Sequence, residues 1–169
     1  SGAMIVHGGR EIQRMGWDER RKLVTRVIFF LNINNVGKSA FYYAINLVVV
    51  DIPEGVDSID GNAFEYCSSL TTVSFPTTLT SVERFAFAYC ESLDDVDLLH
   101  TNLQELGEQG FNACSELKSM TIPDSLQTLG FNIFFSYFKL VPSGINVGYN
   151  VNDPTSEVIA YLRSQQSTP

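Results

Sequence analysis

The stretch LTTVSFPTTLTSVERFAFAYCES, residues 70–92, decides the fold. Its opening alternates apolar and polar residues, with Val73 and Phe75 on either side of Ser74, as in a short half-buried strand. Pro76 follows at once, where a missing amide ends the hydrogen-bond ladder and starts a turn. The second half, ERFAFAYCES, is richer in Ala and aromatic residues and reads as a short irregular or helical return. Working outward, the same pattern recurs in VTRVIFFLNINNVGKSAFYYAIN (24–46), LVVVDIPEGVDSIDGNAFEYCSS (47–69), LDDVDLLHTNLQELGEQGFNACSE (93–116) and LKSMTIPDSLQTLGFNIFFSYFK (117–139). Four blocks have 23 residues and the fourth has 24.

Six apolar slots are filled in all five blocks. The first three are Val24, Leu47, Leu70, Leu93 and Leu117; Val27, Val50, Val73, Val96 and Met120; and Phe29, Ile52, Phe75, Leu98 and Ile122. The others are Ile33, Val56, Leu79, Leu103 and Leu126; Val36, Ile59, Val82, Leu106 and Leu129; and Phe41, Phe64, Phe87, Phe111 and Phe134. No single block can bury such a face alone. Stacked blocks can, so the period predicts a solenoid with strands on one side and returns on the other.

The pattern LxxVxIPxxLxxIxxxAFxxCxx over residues 24–139 resembles the BspA-type leucine-rich repeat, through the Pro after the strand, the Ala40-Phe41, Ala63-Phe64 and Ala86-Phe87 pairs, and a Cys three residues on. The first block departs with Ala44 in the Cys slot and the fifth with Tyr137. The fourth replaces the Pro by Leu99 and inserts a residue near Thr101-Asn102. The resemblance implies an α/β leucine-rich-repeat solenoid of about five repeats, with parallel concave strands, short irregular or helical convex segments and a cap at each end. It also implies a protein-interaction module, with adhesion as the role of surface-displayed members, and it supplies no catalytic residues.

Outside the repeats, Ser1 to Met4 read as the remnant of an expression tag, and residues 5–23, with Trp17 and the run Asp18-Glu19-Arg20-Arg21-Lys22, as an N-terminal cap. Residues 140–169 read as a sixth strand from Leu140, a loop and a capping helix over Asp153–Gln166, whose Val158, Ile159 and Leu162 share a face. The crowded rings of Phe131, Phe134, Phe135, Tyr137 and Phe138 offer a homodimer contact as an alternative to a covered last coil.

At 169 residues, 44% hydrophobic and 18% charged, the chain suits one folded domain. A net charge of -8 argues against nucleic acid, which needs a basic surface. Apolar runs such as 27–31 and 47–50 fall far short of the roughly 20 residues of a membrane span. No Asn-x-Ser/Thr sequon occurs and the three cysteines are an odd number, which favours a cytoplasmic location over a cell-surface or secreted one.

Candidate chemistry thins on inspection. Gly37-Lys38-Ser39 lacks the phosphate-loop glycine five positions earlier, where Asn32 stands. Cys67, Cys90 and Cys114 are spaced by 23 and 24, the repeat period, and so predict a ladder of buried reduced thiols rather than a zinc site. Two histidines, His7 and His100, are too few for a metal cluster or triad. No cofactor, metal or catalytic group is expected.

The remaining signal is the row of side chains between the apolar strand slots, which project from the concave face. Asp51, Ser74, Asp95, Asp97 and Thr121 form an acidic, hydroxyl-rich strip, with Glu54 and His100 at its rim. Charge also divides along the chain: residues 1–38 carry seven Lys/Arg against three Asp/Glu, and the remaining 131 carry four against sixteen. The strip is the expected partner site, suited to a protein or peptide with a basic patch. The simpler alternatives are acids that keep the protein soluble, adhesion to a matrix protein or glycan, or structural self-association.

Overall fold

The computed structural model describes residues 3–6, 11–12, 20–29, 33–134, 160 and 164. The five blocks form five stacked coils, numbered 1 to 5 in chain order, and each coil contributes two strands rather than one. The first strands are β3 (Arg26–Phe29), β5 (Val49–Asp51), β7 (Thr72–Ser74), β9 (Asp95–Asp97) and β11 (Ser119–Thr121). The second are the two-residue strands β4 (Asn35–Val36), β6 (Ser58–Ile59), β8 (Ser81–Val82), β10 (Glu105–Leu106) and β12 (Thr128–Leu129).

All strand pairs are parallel, and partners lie one repeat apart, as in Val50↔Val73 and Ile59↔Val82. The ladders also take in β1 (Ala3–Val6), which pairs with β3, and β2 (Glu11–Ile12), which pairs with β4. These residues fall inside the segments read as tag remnant and N-terminal cap. A four-residue 3-10 turn, Arg20–Leu23, leads into coil 1.

The second strand was not anticipated because two residues carry too little periodicity to read. Val36, Ile59, Val82, Leu106 and Leu129 were recognised only as apolar slots. They are the inward members of these strands, and the residue before each faces out.

The return is built from turns among the described residues; the helical alternative is not observed in the coils. Alternate amides of each return reach in two directions. The N–H groups of Asn62, Phe64 and Tyr66 donate to the Arg84, Ala86 and Ala88 carbonyls of the next coil, at 2.8–3.1 Å. Those of Ala63, Glu65 and Cys67 close turns within their own coil, onto Asp60, Asn62 and Phe64. The backbone groups of the buried return are thereby satisfied by a third ladder. This winding requires two left-handed residues per return, four apart: Ser39 and Tyr43, Asn62 and Tyr66, Phe85 and Tyr89, Gln109 and Ala113. A non-glycine residue in that region costs roughly 1–2 kcal/mol, so the winding is sustained by what it packs.

What it packs is one continuous core. Every residue of the six slots is buried except Phe29 and Phe75, which pack against the core half-buried. Phe41, Phe64, Phe87 and Phe111 stack ring on ring at 5.0–5.2 Å with interplanar angles of 4–10°. The three thiols lie beside them, unpaired and buried as expected. Each Sγ–H donates to a carbonyl one coil back, Cys67 to Phe41, Cys90 to Phe64 and Cys114 to Phe87, at 3.3 Å in each case.

Burial pushes the Cys114 thiol up to about 12 and raises Cys67 and Cys90 as well, so all three stay protonated and inert. An odd number of cysteines therefore carries no information about compartment, because shielded thiols persist under oxidising and reducing conditions alike. The expectation of a cytoplasmic location loses that half of its support. Most of the C-terminal segment, including the expected sixth strand and the helix face of Val158, Ile159 and Leu162, lies outside the described residues. Ala160 and Ser164 are described there, both helical and exposed.

Candidate functional site

The strand face places the proposed strip as the register requires. Asp51, Ser74, Asp95 and Asp97 project into solvent, Thr121 is half-buried in the same row, and Glu54 and His100 are exposed at the rim. These residues are not free-standing, because each carboxylate is tied to a hydroxyl one coil further on. Ser74 Oγ donates to Asp51 at 3.1 Å, while the Thr77 amide and hydroxyl donate to Glu54 at 2.9 and 3.0 Å. Ser119 and Thr121 hydroxyls donate to Asp95 and Asp97.

The carboxylates respond accordingly. The Thr121 hydroxyl, aided by the Leu99 amide and the nearby His100, holds Asp97 below the usual carboxylate range. The Thr77 amide, then its hydroxyl, lower Glu54 in the same way. Arg26 and Asp94 complete the pattern with exposed ion pairs, to Asp51 and Lys118, each at 3.5 Å. Such pairs are worth at most about 1 kcal/mol each.

Two groups emerge from this geometry. Asp51, Glu54, Ser74 and Thr77 join coils 2 and 3, while Asp95, Asp97, Ser119 and Thr121 join coils 4 and 5. No side-chain bond links the strand faces of coils 3 and 4 among the described residues. The strip is thus continuous in position and divided in bonding. It presents fixed negative charge without a cage, and among the described residues no cluster of His, Cys, Asp and Glu could hold a metal ion.

The convex side holds two features that the repeat pattern did not reveal. Glu65, a charged residue of the outer return, is buried at 9% exposure. Its carboxylate accepts a 2.6 Å bond from Asn62 Nδ2, and burial raises its pKa despite that bond. Glu65 occupies a column with Tyr42 and Ala88 of the neighbouring coils, inside the return.

The second feature is a tyrosine column. Tyr43, Tyr66 and Tyr89, all in the left-handed conformation, form a column: Tyr43 and Tyr66 meet tilted at 5.1 Å and 41°, and Tyr66 and Tyr89 stack at 4.4 Å and 8°. Tyr42 packs edge-on against Tyr66 at 5.8 Å. Their spacing of 23 was visible in the sequence.

The parallel ladders, the repeat period and the stacked Phe slot define a leucine-rich-repeat solenoid. The family model for the BspA type leucine rich repeat region matches residues 32–158 in six copies, and the chain belongs to that family. Solved structures agree. A T. pallidum leucine rich repeat protein superposes with a TM-score of 0.65 at 25% identity, over 82% of this chain and 62% of that one. A leucine-rich repeat protein from Bacteroides ovatus gives 0.57 at 28% identity, over 61% of this chain and 26% of that one. A leucine rich cell surface protein from Faecalibacterium prausnitzii shares the fold at 0.55 and 23% identity, over 70% of this chain and 38% of that one. The chain therefore spans 26–62% of the length of these proteins. No curated protein matches the sequence.

Proposed function

We propose that the chain is a non-catalytic binding module whose concave strand face engages a protein or peptide through a basic patch. The observation that carries this reading is the row Asp51, Asp95 and Asp97, exposed on rigid strands. A carboxylate such as Asp97, held ionised by a neighbouring hydroxyl, is a preorganised partner for Lys or Arg, acting mainly on association rate and specificity. Oxygens spread along an open sheet suit a cationic surface better than calcium, which needs six to eight oxygens at about 2.3–2.6 Å.

The test uses a lysine-rich synthetic peptide as probe, with binding followed across a salt series. The wild-type protein should bind with an affinity that falls as salt rises, and Asp95→Lys with Asp97→Lys should weaken binding at least tenfold with the fold intact. Unchanged binding in that variant, together with loss on Glu91→Lys at an exposed outer turn, would move the working face to the convex side.

A second reading is adhesion at a cell surface, favoured by the likeness to the leucine rich cell surface protein from Faecalibacterium prausnitzii. Among the described residues no helix is long and apolar enough to cross a membrane. Display would then depend on an attachment outside them. Surface labelling of the native cell with an antibody to the domain distinguishes the two readings. A homodimer through the aromatic last coil is a third option; Phe131, the described exposed ring there, is 47% exposed.

A further inference from the structure

Among the described residues the strand side of the solenoid is interrupted at one place. The first strands form two separate sheets, β1-β3-β5-β7 and β9-β11, whereas the second strands run unbroken through six, β2-β4-β6-β8-β10-β12. The break falls between β7 of coil 3 and β9 of coil 4. Bonds that flank the strands elsewhere are missing there as well, and the first backbone link past the break is Asn102 N–H to the Thr77 carbonyl at 3.2 Å. Thr71 N–H donates to Val48 and Lys118 N–H to Asp94, both at 2.9 Å, but Asp94 N–H makes no equivalent bond to Thr71. Past the strand, Ile52 N–H donates to Ser74 and Leu98 N–H to Thr121, while Phe75 N–H has no such bond to Asp97. The hydroxyl–carboxylate rungs skip the same boundary.

The rest of that boundary is closed. Gln104 N–H donates to Thr80 at 2.8 Å and Gly107 N–H to Val82 at 2.7 Å. In the return, Phe85, Phe87 and Tyr89 donate to Glu108, Gly110 and Asn112 at 2.7–2.9 Å. Gly107 marks how close the two backbones run, since a Cβ there would lie 2.4 Å from Arg84 N. The sequence supplies the cause. In coil 4 the step from Leu98 to Leu103 is one residue longer than Phe75 to Leu79, and the extra length is taken up by a local turn in which Thr101 Oγ1 donates to the Leu98 carbonyl at 2.7 Å.

We infer that the boundary between coils 3 and 4 is a hinge: its concave edge opens and closes while the second-strand and return ladders hold the convex side shut. The solenoid then behaves as two rigid pieces, coils 1–3 and coils 4–5, and its concave face adjusts curvature at one line. The device stands whether or not the strip binds a basic partner. Any partner long enough to touch Ser74 and Asp97 together would select one degree of opening.

Pulsed electron spin resonance tests it on the full chain, with spin labels on paired cysteines; the three native thiols are buried and stay unlabelled. One pair, Thr25→Cys with Lys118→Cys, spans coils 1 to 5 on the strand side. The other, Asn34→Cys with Gln127→Cys, spans the same coils beside the second strands. Each pair covers four strand spacings, about 19 Å. The hinge predicts a strand-side distance distribution at least twofold broader than the convex one. Replacing Leu99–Asn102 by the three residues of coil 3, Pro-Thr-Thr, should narrow it to match.

Equal widths in the wild-type chain would overturn the hinge. So would a strand-side breadth that survives the replacement, since the motion would then lie elsewhere. If the replacement variant fails to fold, the wild-type pair of measurements decides alone.

Discussion

Glu65 and Asp97 are both acids on a repeat, and their surroundings treat them in opposite ways. Asp97 stands on the strand face in water, bonded by a hydroxyl that favours its charge, and its pKa is lowered. Glu65 lies under the next coil in the return, where burial disfavours its charge, and its pKa is raised. The contrast extends to the neighbourhoods. The return carries stacked Phe rings, buried thiols and strained left-handed backbone, so its side chains are committed to stability. The strand face carries short rungs in solvent, so its side chains contribute little to stability and are available to a partner.

The largest effect should come from breaking the committed side. Phe87→Ala removes the central ring of the Phe stack and should cost roughly 3–5 kcal/mol, measured by denaturant unfolding. The same truncation of Asp97 should cost less than about 1 kcal/mol.

Next comes pH. A raised folded pKa means that Glu65 contributes stability fully present below its ordinary value of 4.5 and lost as pH rises through the folded value. Asp97 and Glu54, lowered, contribute stability present above 3.8 and 4.5 and lost as pH falls through their folded values. Glu65→Gln should therefore flatten the stability–pH curve above 4.5 and raise the melting temperature at pH 7 relative to wild type. Thr121→Val should weaken the acid-side slope, and an NMR titration should find the Asp97 midpoint moved up toward 3.8.

Thiol chemistry sharpens the comparison further. A rise for Cys114 from 9.0 to about 12 lowers its thiolate fraction roughly a thousandfold, so a thiol reagent should find none of the three cysteines in the native protein and all three after unfolding. Rapid native labelling would mean that the return is not closed.

The fold was legible because its signal is repeated: six slots filled five times outweigh any local ambiguity, and all of their residues but Phe29 and Phe75 are buried. The strip was legible for the same reason, since strand alternation fixes which side chains face out. What escaped were features decided by the adjacent coil. Glu65 looks like a surface residue until the next turn covers it, and the rungs from Ser74 to Asp51 and Thr121 to Asp97 join residues that no local window contains. The two-residue second strands exist only through pairing between coils. The sheet break coincides with one inserted residue, visible as an irregularity in the fourth block, but which ladder it interrupts depends on how the backbone absorbs it.

The central claim is that the strand face is dispensable to the fold while the return is not. The most direct measurement compares thermal unfolding of Asp95→Lys with Asp97→Lys against the single change Glu65→Lys, at the same pH and salt. The double reversal on the strand face should keep a cooperative transition within about 1 kcal/mol of wild type. The single change in the return should cost roughly 1–3 kcal/mol, because it removes the acceptor of Asn62 and places a cation under the next coil. A strand-face variant that unfolds while Glu65→Lys leaves the melting temperature unchanged would contradict the account.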